Sequence, residues 1–137
     1  MWTCPECKRK FDKKDQVHSC QTIPLGEHFR GKELAKEIYN TLLERINKEI
    51  GKCEAISLPC CIHLAGEYEF MAILPKRDRL EIRIGLHRTL SGGRIGQVVP
   101  VSQHGYKVCV DLKSATDIDD ELMGWLKESY HLRENGE

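Results

Sequence analysis

Four residues able to bind a metal crowd the first twenty positions: Cys4-Pro5-Glu6-Cys7, and His18-Ser19-Cys20 after a ten-residue gap. A segment this short has almost no apolar core, so the chemistry of those four side chains constrains its fold more than anything else in the chain. Two residues between cysteines let a tight turn aim both sulfurs at one ion, and three Cys with one His is a structural set for tetrahedral Zn²⁺. Four protein ligands close the shell and leave no position for a reacting water, so the expected zinc is structural. Pro5 stiffens the turn, and Trp2, Phe11 and Val17 are the expected apolar plug beside the ion. A Cys4–Cys7 disulfide is the competing reading. It is disfavoured because the total of seven cysteines is odd and no secretory apolar stretch is present.

The Cys-x-x-Cys-x-x-x-Phe opening is like that of a base-reading zinc finger, but the second ligand pair is not. A finger places its two His three to five residues apart on a helix. Here six residues separate Phe11 from His18, less than two helical turns at about 3.6 residues per turn. His18 and Cys20 are two apart, which on a helix would point them to nearly opposite sides. The second pair therefore belongs on a turn, and the module is expected to be a knuckle rather than a reading head.

The rest of the chain reads as one α+β domain. Residues 1–22 are assigned to the knuckle, 23–31 to a linker with Pro24, Gly26 and Gly31, and 32–134 to the domain. Leu34, Ile38, Leu42, Ile46 and Ile50 recur every fourth position, with Gly51 as the stop, which predicts an amphipathic helix. A short edge-like strand is expected over 53–58. Strict alternation predicts strands around 67–74, 79–87 and 106–112, the first two joined as a hairpin by Lys76-Arg77-Asp78. Ser91-Gly92-Gly93-Arg94-Ile95-Gly96 and Pro100 read as a long loop. A second helix closes the chain, capped by Ser114 with Asp117 three residues on. Ile118, Leu122, Trp125, Leu126 and Ser129 form its inward face, and Lys127, His131 and Arg133 lie near its end. The expected order is α-β-β-β-β-α, an antiparallel sheet of about four strands packed with two helices.

The opening Trp2-Thr3-Cys4-Pro5-Glu6-Cys7-Lys8-Arg9-Lys10-Phe11, the phrase Arg79-Leu80-Glu81-Ile82-Arg83-Ile84-Gly85-Leu86 and the ending Asp119-Asp120-Glu121-Leu122-Met123-Gly124-Trp125-Leu126-Lys127-Glu128-Ser129-Tyr130 resemble the bacterial family called domain of unknown function 5655. The resemblance implies this architecture, knuckle first, and brings no activity with it. The chain departs from the family at Leu58-Pro59-Cys60-Cys61-Ile62-His63, where a basic residue is expected before the second strand.

Charge and the remaining chemistry bound the function. The chain has 21 basic and 21 acidic residues, so non-specific polyanion affinity is expected to be weak. No apolar run approaches the about 20 residues of a membrane helix, and a cytoplasmic protein without membrane contact is expected. Locally, residues 71–107 carry seven Lys/Arg against two Asp/Glu, and 108–137 carry three against eight. Lys8, Arg9 and Lys10 of the knuckle, with Lys13 and Lys14, and Arg79, Arg83, His87 and Lys107 of the polar sheet face are therefore the candidate anion-binding set. The leading expectation is a zinc-stabilised binding or adaptor module engaging an anionic partner such as nucleic acid. An enzyme is the second reading, with His87, His104 and Cys61 or Glu81 meeting in a cleft between the sheet and the Gly-rich loop. A protein-binding or homodimerising module is the third. Cys53, Cys60, Cys61 and Cys109 read as small core residues rather than ligands, and no residue is assigned a catalytic role.

Overall fold

A computed structural model describes residues 2–11, 13–18 and 20–134. The side chain of Arg133, expected near the end of the second helix, lies outside what is described. The knuckle holds a two-stranded ribbon, β1 (Trp2–Thr3) and β2 (Lys10–Phe11). Next comes a 3₁₀ turn at Leu25–Phe29 and then α1 (Glu33–Glu49). The strands β3 (Glu54–Ser57), β4 (Ile62–Ala65), β5 (Glu69–Pro75), β6 (Leu80–Leu86), β7 (Ile95–Pro100) and β8 (Tyr106–Leu112) follow, and α2 (Asp120–Glu134) ends the fold. Among the described residues, β3 to β8 form one antiparallel sheet in the order β3-β4-β5-β6-β8-β7. No described helix is long and apolar enough to cross a membrane.

The α+β class and both helices agree with the sequence reading, and the strand count does not. The expected sheet of about four strands is a sheet of six, plus the knuckle ribbon. β4 is four residues long, too short for its alternation to stand out, and it starts within the Leu58–His63 stretch. β7 occupies the second half of the stretch from Ser91 to Pro100 that reads as a loop. Gly96 lies where the β7–β8 register shifts between Ile95 and Gln97. Pro100, which has no amide to donate, ends β7 on the edge of the sheet, where such a residue is tolerated.

Both helices pack on one face. Ile62 of β4, Ile73 of β5, Ile82 of β6 and Val110 of β8 form one cross-strand row, and Leu64, Met71, Ile84 and Val108 form another. These residues join Ala35, Ile38, Tyr39, Leu42 and Ile46 of α1 and Leu122, Met123 and Leu126 of α2 in a single core. Leu34, expected in the α1 stripe, is exposed. Trp125, expected inward, is half-buried.

α2 begins later than expected. Ser114 precedes a 3₁₀ turn (Ala115–Asp117) and makes no capping bond, whereas Asp119 Oδ1 accepts from the Leu122 amide at 2.9 Å, the bond of an N-cap. Two arginines hold this start in place. Arg45 of α1 donates to the Ile118 carbonyl and to Asp120, both at 2.9 Å. Arg94, at the entry to β7, donates to the Asp117 carbonyl at 2.7 Å, to Asp119 at 3.0 Å and to Glu121 at 2.7 Å, and its guanidinium lies 4.9 Å from the Trp125 ring. Arg94 and the Leu122 amide hold the Asp119 carboxyl below its usual range. The acidic start of α2 thus serves the helix dipole and also receives two cations from other elements.

Arg94→Ala is expected to lower stability by about 1–3 kcal/mol, because a half-buried carbonyl and a cap lose a charged donor together. Arg94→Lys should recover less than half of that loss, since an ammonium cannot fork across three acceptors. The urea midpoint, followed by Trp125 fluorescence, measures both; an unchanged midpoint in Arg94→Ala would remove this role.

Candidate metal centre and knuckle–sheet junction

The turn after Cys4 is built by the backbone. The Lys8 amide donates to the Cys4 carbonyl and the Cys4 amide to the Arg9 carbonyl, both at 2.9 Å. Lys8 adopts a left-handed φ of 65°, a conformation costing an L-residue about 1–2 kcal/mol. This turn aims the Cys7 and Glu6 amides at the Cys4 sulfur, and those bonds bring its thiol down to about 6. Cys20 is pushed up to about 12, by desolvation first and then by the sulfurs of Cys4 and Cys7.

All four expected ligands come together. The donor atoms of Cys4, Cys7, His18 and Cys20 lie within 4.8 Å of one another and can hold a metal ion. Cys4 Sγ is 3.7 Å from Cys20 Sγ, and His18 Nε2 is 3.4 Å from both Cys7 Sγ and Cys20 Sγ. His18 Nδ1 donates to the Gln16 carbonyl at 2.7 Å. That bond fixes the tautomer and leaves Nε2 to face the sulfurs. The plug differs from expectation in one member. The Phe11 ring stacks on His18 at 4.2 Å and Trp2 lies 6.1 Å from both rings, whereas Val17 is 97 % exposed.

The knuckle is fastened to the sheet face that the helices leave open. Arg9 makes a two-toothed pair with Glu69, Nε to Oε2 at 3.0 Å and Nη2 to Oε1 at 3.1 Å. His63 Nδ1 donates to Glu69 Oε1 at 2.7 Å, so the more distant Arg9 Nη2 is its neighbour and not a donor to it. The side chains of Arg9 and Glu69 are only 10 % and 17 % exposed. Burial alone would raise the Glu69 carboxyl, but the bonds from His63 and Arg9 outweigh it and bring the group to about 2. A bulge positions Glu69. Leu64 pairs with Met71 but Ala65 pairs with Glu69, so Phe70 is the extra residue. Phe70 and Met71 are both buried, and Glu69 turns to the outer face. Lys10 Nζ sits 5.6 Å from the Tyr68 ring. Between knuckle and sheet lies a cleft of about 360 Å³ whose walls include Lys8, Arg9 and Lys10 on one side and Glu54, Glu67 and Glu69 on the other.

The other candidate residues do not gather there. On the outer face Arg79 pairs with Asp111 at 3.0 Å and Asp78 at 2.9 Å, and Arg83 pairs with Glu81 at 2.9 Å. Lys107 is half-buried on β8, opposite Gly85. His87 is exposed just past β6, and His104 is exposed in the turn between β7 and β8. Glu81 lies toward the far end of β6, about 20 Å from His87 along the strand. Cys61 precedes Ile62, a residue level with Ile82, so the two His do not share a cleft with Cys61 or Glu81. Cys61 and Cys109 are buried, Cys53 is half-buried and Cys60 is exposed. Glu69, the partner of both Arg9 and His63, is not singled out by the sequence, because a pairing across 60 residues leaves no local signal; His63, read there only beside Cys60 and Cys61, bonds Glu69 instead.

A family model, described as Domain of unknown function (DUF5655), matches residues 25–133. The chain belongs to that family, and the knuckle precedes the matched region. No curated protein and no solved structure matches the chain.

The Glu69 carboxyl defines a pH dependence. Its folded value of about 2 lies below the ordinary 4.5. Its stabilisation is therefore complete above about pH 4.5 and is lost as pH falls toward 2. The difference in unfolding free energy between the protein and Glu69→Gln is expected to be largest near pH 6 and to shrink steadily below pH 4.5. A difference that does not change with pH would refute the pairing.

Proposed function

We propose that this protein is a zinc-stabilised binding module whose knuckle presents lysines to an anionic partner, single-stranded nucleic acid in particular. The ion's identity rests on the donor set and its spacing. With Zn–S bonds of about 2.3 Å and Zn–N of about 2.0–2.1 Å, tetrahedral geometry sets sulfurs about 3.8 Å apart and sulfur to nitrogen about 3.6 Å. The 3.7 Å and 3.4 Å separations in the knuckle are close to both. Zinc in this set has no vacant position, so it supplies folding free energy, on the order of 10 kcal/mol at neutral pH.

The observation that carries the anion reading is the state of the cations. Arg79 and Arg83 are answered by Asp78, Asp111 and Glu81, and Arg9 is committed to Glu69. Lys8, Lys10, Lys13 and Lys14 are exposed, and among the described residues none of them forms an ion pair. Lys8 donates to the Pro5 carbonyl at 2.8 Å and Lys10 rests near Tyr68, so two of the four project from defined positions. The anion-binding role considered for the sheet arginines therefore passes to the knuckle. A knuckle without a reading helix suits backbone phosphates rather than base edges.

Purified protein should carry one equivalent of zinc. Removing it with a chelator should open the knuckle to trypsin at Lys8–Lys14 while the α+β domain keeps its cooperative unfolding. Zinc loss that leaves the knuckle protected would argue against a folding role for the ion.

Binding to a labelled single-stranded RNA, read by anisotropy across a salt series, is expected to weaken steeply with salt. Lys10→Ala, Lys13→Ala and Lys14→Ala should each reduce the log–log salt slope by about 0.7, and Arg79→Ala should leave it unchanged. No binding at low salt, or equal effects of Arg79→Ala and the lysine variants, would overturn the reading.

A further inference from the structure

The β3–β4 turn carries two adjacent cysteines that no role above uses. The Leu58 amide donates to the Cys61 carbonyl at 2.9 Å, closing a turn over Pro59 and Cys60, and Ser57 pairs with Ile62 behind it. In this frame Cys60 Sγ and Cys61 Sγ lie 3.2 Å apart. Cys60 is exposed and Cys61 is buried, so the pair opens to solvent on one side and is backed by protein on the other.

Sulfurs at that separation are not placed for a disulfide or for zinc. Adjacent Cα atoms across a trans peptide are about 3.8 Å apart, whereas a relaxed disulfide spans about 4.4–6.8 Å between Cα atoms. An S–S bond here would be strained and readily reduced. A tetrahedral ion would spread the sulfurs to about 3.8 Å, as the knuckle does with Cys4 and Cys20 at 3.7 Å. With bonds of about 2.3 Å, a 3.2 Å separation closes to nearly a right angle at a bridging atom. That is the angle of a pyramidal centre bearing a lone pair.

We infer that Cys60 and Cys61 form a chelating site for trivalent thiophilic metalloids, arsenic(III) and its organic derivatives. Arsenous acid reacts with the two thiols to give an arsenic bound to both sulfurs and one hydroxyl, with release of two waters: two S–H and two As–O bonds break, and two As–S and two O–H bonds form. No electron is transferred, so no oxidant is needed. Each thiol proton leaves with the departing hydroxyl, and the reaction therefore does not require a free thiolate. This suits Cys61, whose thiol burial pushes up to about 12. The third substituent on arsenic faces solvent on the Cys60 side. Cys53 and Cys109, on separate elements, supply no second sulfur of this kind.

The test uses the zinc-loaded full chain and phenylarsine oxide, which bonds two thiols with loss of one water. One equivalent should bind, remove two thiols from a thiol count, and be displaced by a small dithiol but not by a monothiol. Cys60→Ser and Cys61→Ser should each weaken binding by roughly a hundredfold or more, the loss expected when a two-point chelate becomes a single attachment. Cys53→Ser and Cys109→Ser should have no effect. Because Cys60 is exposed in a turn, its variant decides the matter even if Cys61→Ser fails to fold. Undiminished binding in Cys60→Ser would overturn the assignment. So would uptake that releases zinc in step, because it would place the arsenical on the knuckle thiols.

Discussion

One-sided packing of the sheet governs this molecule. Two helices and the alternating apolar residues of β4, β5, β6 and β8 make a single core on one face. Neither described helix meets the opposite face, and its residues must be tolerable in water or satisfied by one another. Arg79, Glu81, Arg83 and Asp111 do the second, as a lattice of ion pairs lying flat on the strands. Such half-exposed pairs contribute about 0–1 kcal/mol each. They keep the face wet and specific and do not make it a second core. The remaining part of that face, over β3, β4 and the β4–β5 connection, is where the knuckle is seated.

The seat depends on one half-buried charge pair. A knuckle with Trp2 and Phe11 as its main apolar side chains has little surface with which to dock. Arg9 and Glu69 supply direction instead: a guanidinium fork and a carboxylate fix both distance and orientation. His63 holds the carboxylate from the sheet side. Removing one partner leaves the other charge mostly dehydrated and unpaired, a cost below the about 3–5 kcal/mol of a fully buried pair. The pair is thus weak as glue and strong as a register mark. The same device recurs at the other end of the fold, where Arg45 and Arg94 bind consecutive carbonyls at Ile118 and Asp117 and locate the start of α2.

Much of this was legible where one physical rule acts alone. Strict alternation in Leu80–Leu86 and Tyr106–Leu112 gave central strands, and apolar residues four apart gave α1. Ligand chemistry alone assembled Cys4, Cys7, His18 and Cys20. The reading failed where rules compete. Gly92, Gly93, Gly96 and Pro100 are loop signals, yet β7 needs only an edge position and a shifted register to accommodate the last two. Ser114 and Asp117 look like a cap, but Asp119 wins because Arg94 stabilises its carboxylate and the chain makes a 3₁₀ turn first. Alternation through Glu69, Met71 and Ile73 would bury Glu69. The bulge at Phe70 reverses it, and no local pattern announces a bulge that is demanded by Arg9 sixty residues earlier.

On the proposal that Cys4, Cys7, His18 and Cys20 hold a metal ion, the ion and the charge pair act on different freedoms of the same segment. Ligation of that ion would fold the knuckle but say nothing about where it sits; the Arg9–Glu69 pair places it but does not fold it. Each needs the other for the lysines to stand in fixed positions. With the ligands unassembled, Arg9 sits on a chain whose ordering costs about 1–2 kcal/mol per residue, and its attraction to Glu69 cannot hold the segment. With Glu69 neutral, the knuckle loses the ion pair that sets its orientation on the sheet. On the proposal that an anion binds the knuckle lysines, metal and anion are then linked ligands. Each favours the folded, seated knuckle, and reciprocity requires that each raise the affinity for the other by the same factor.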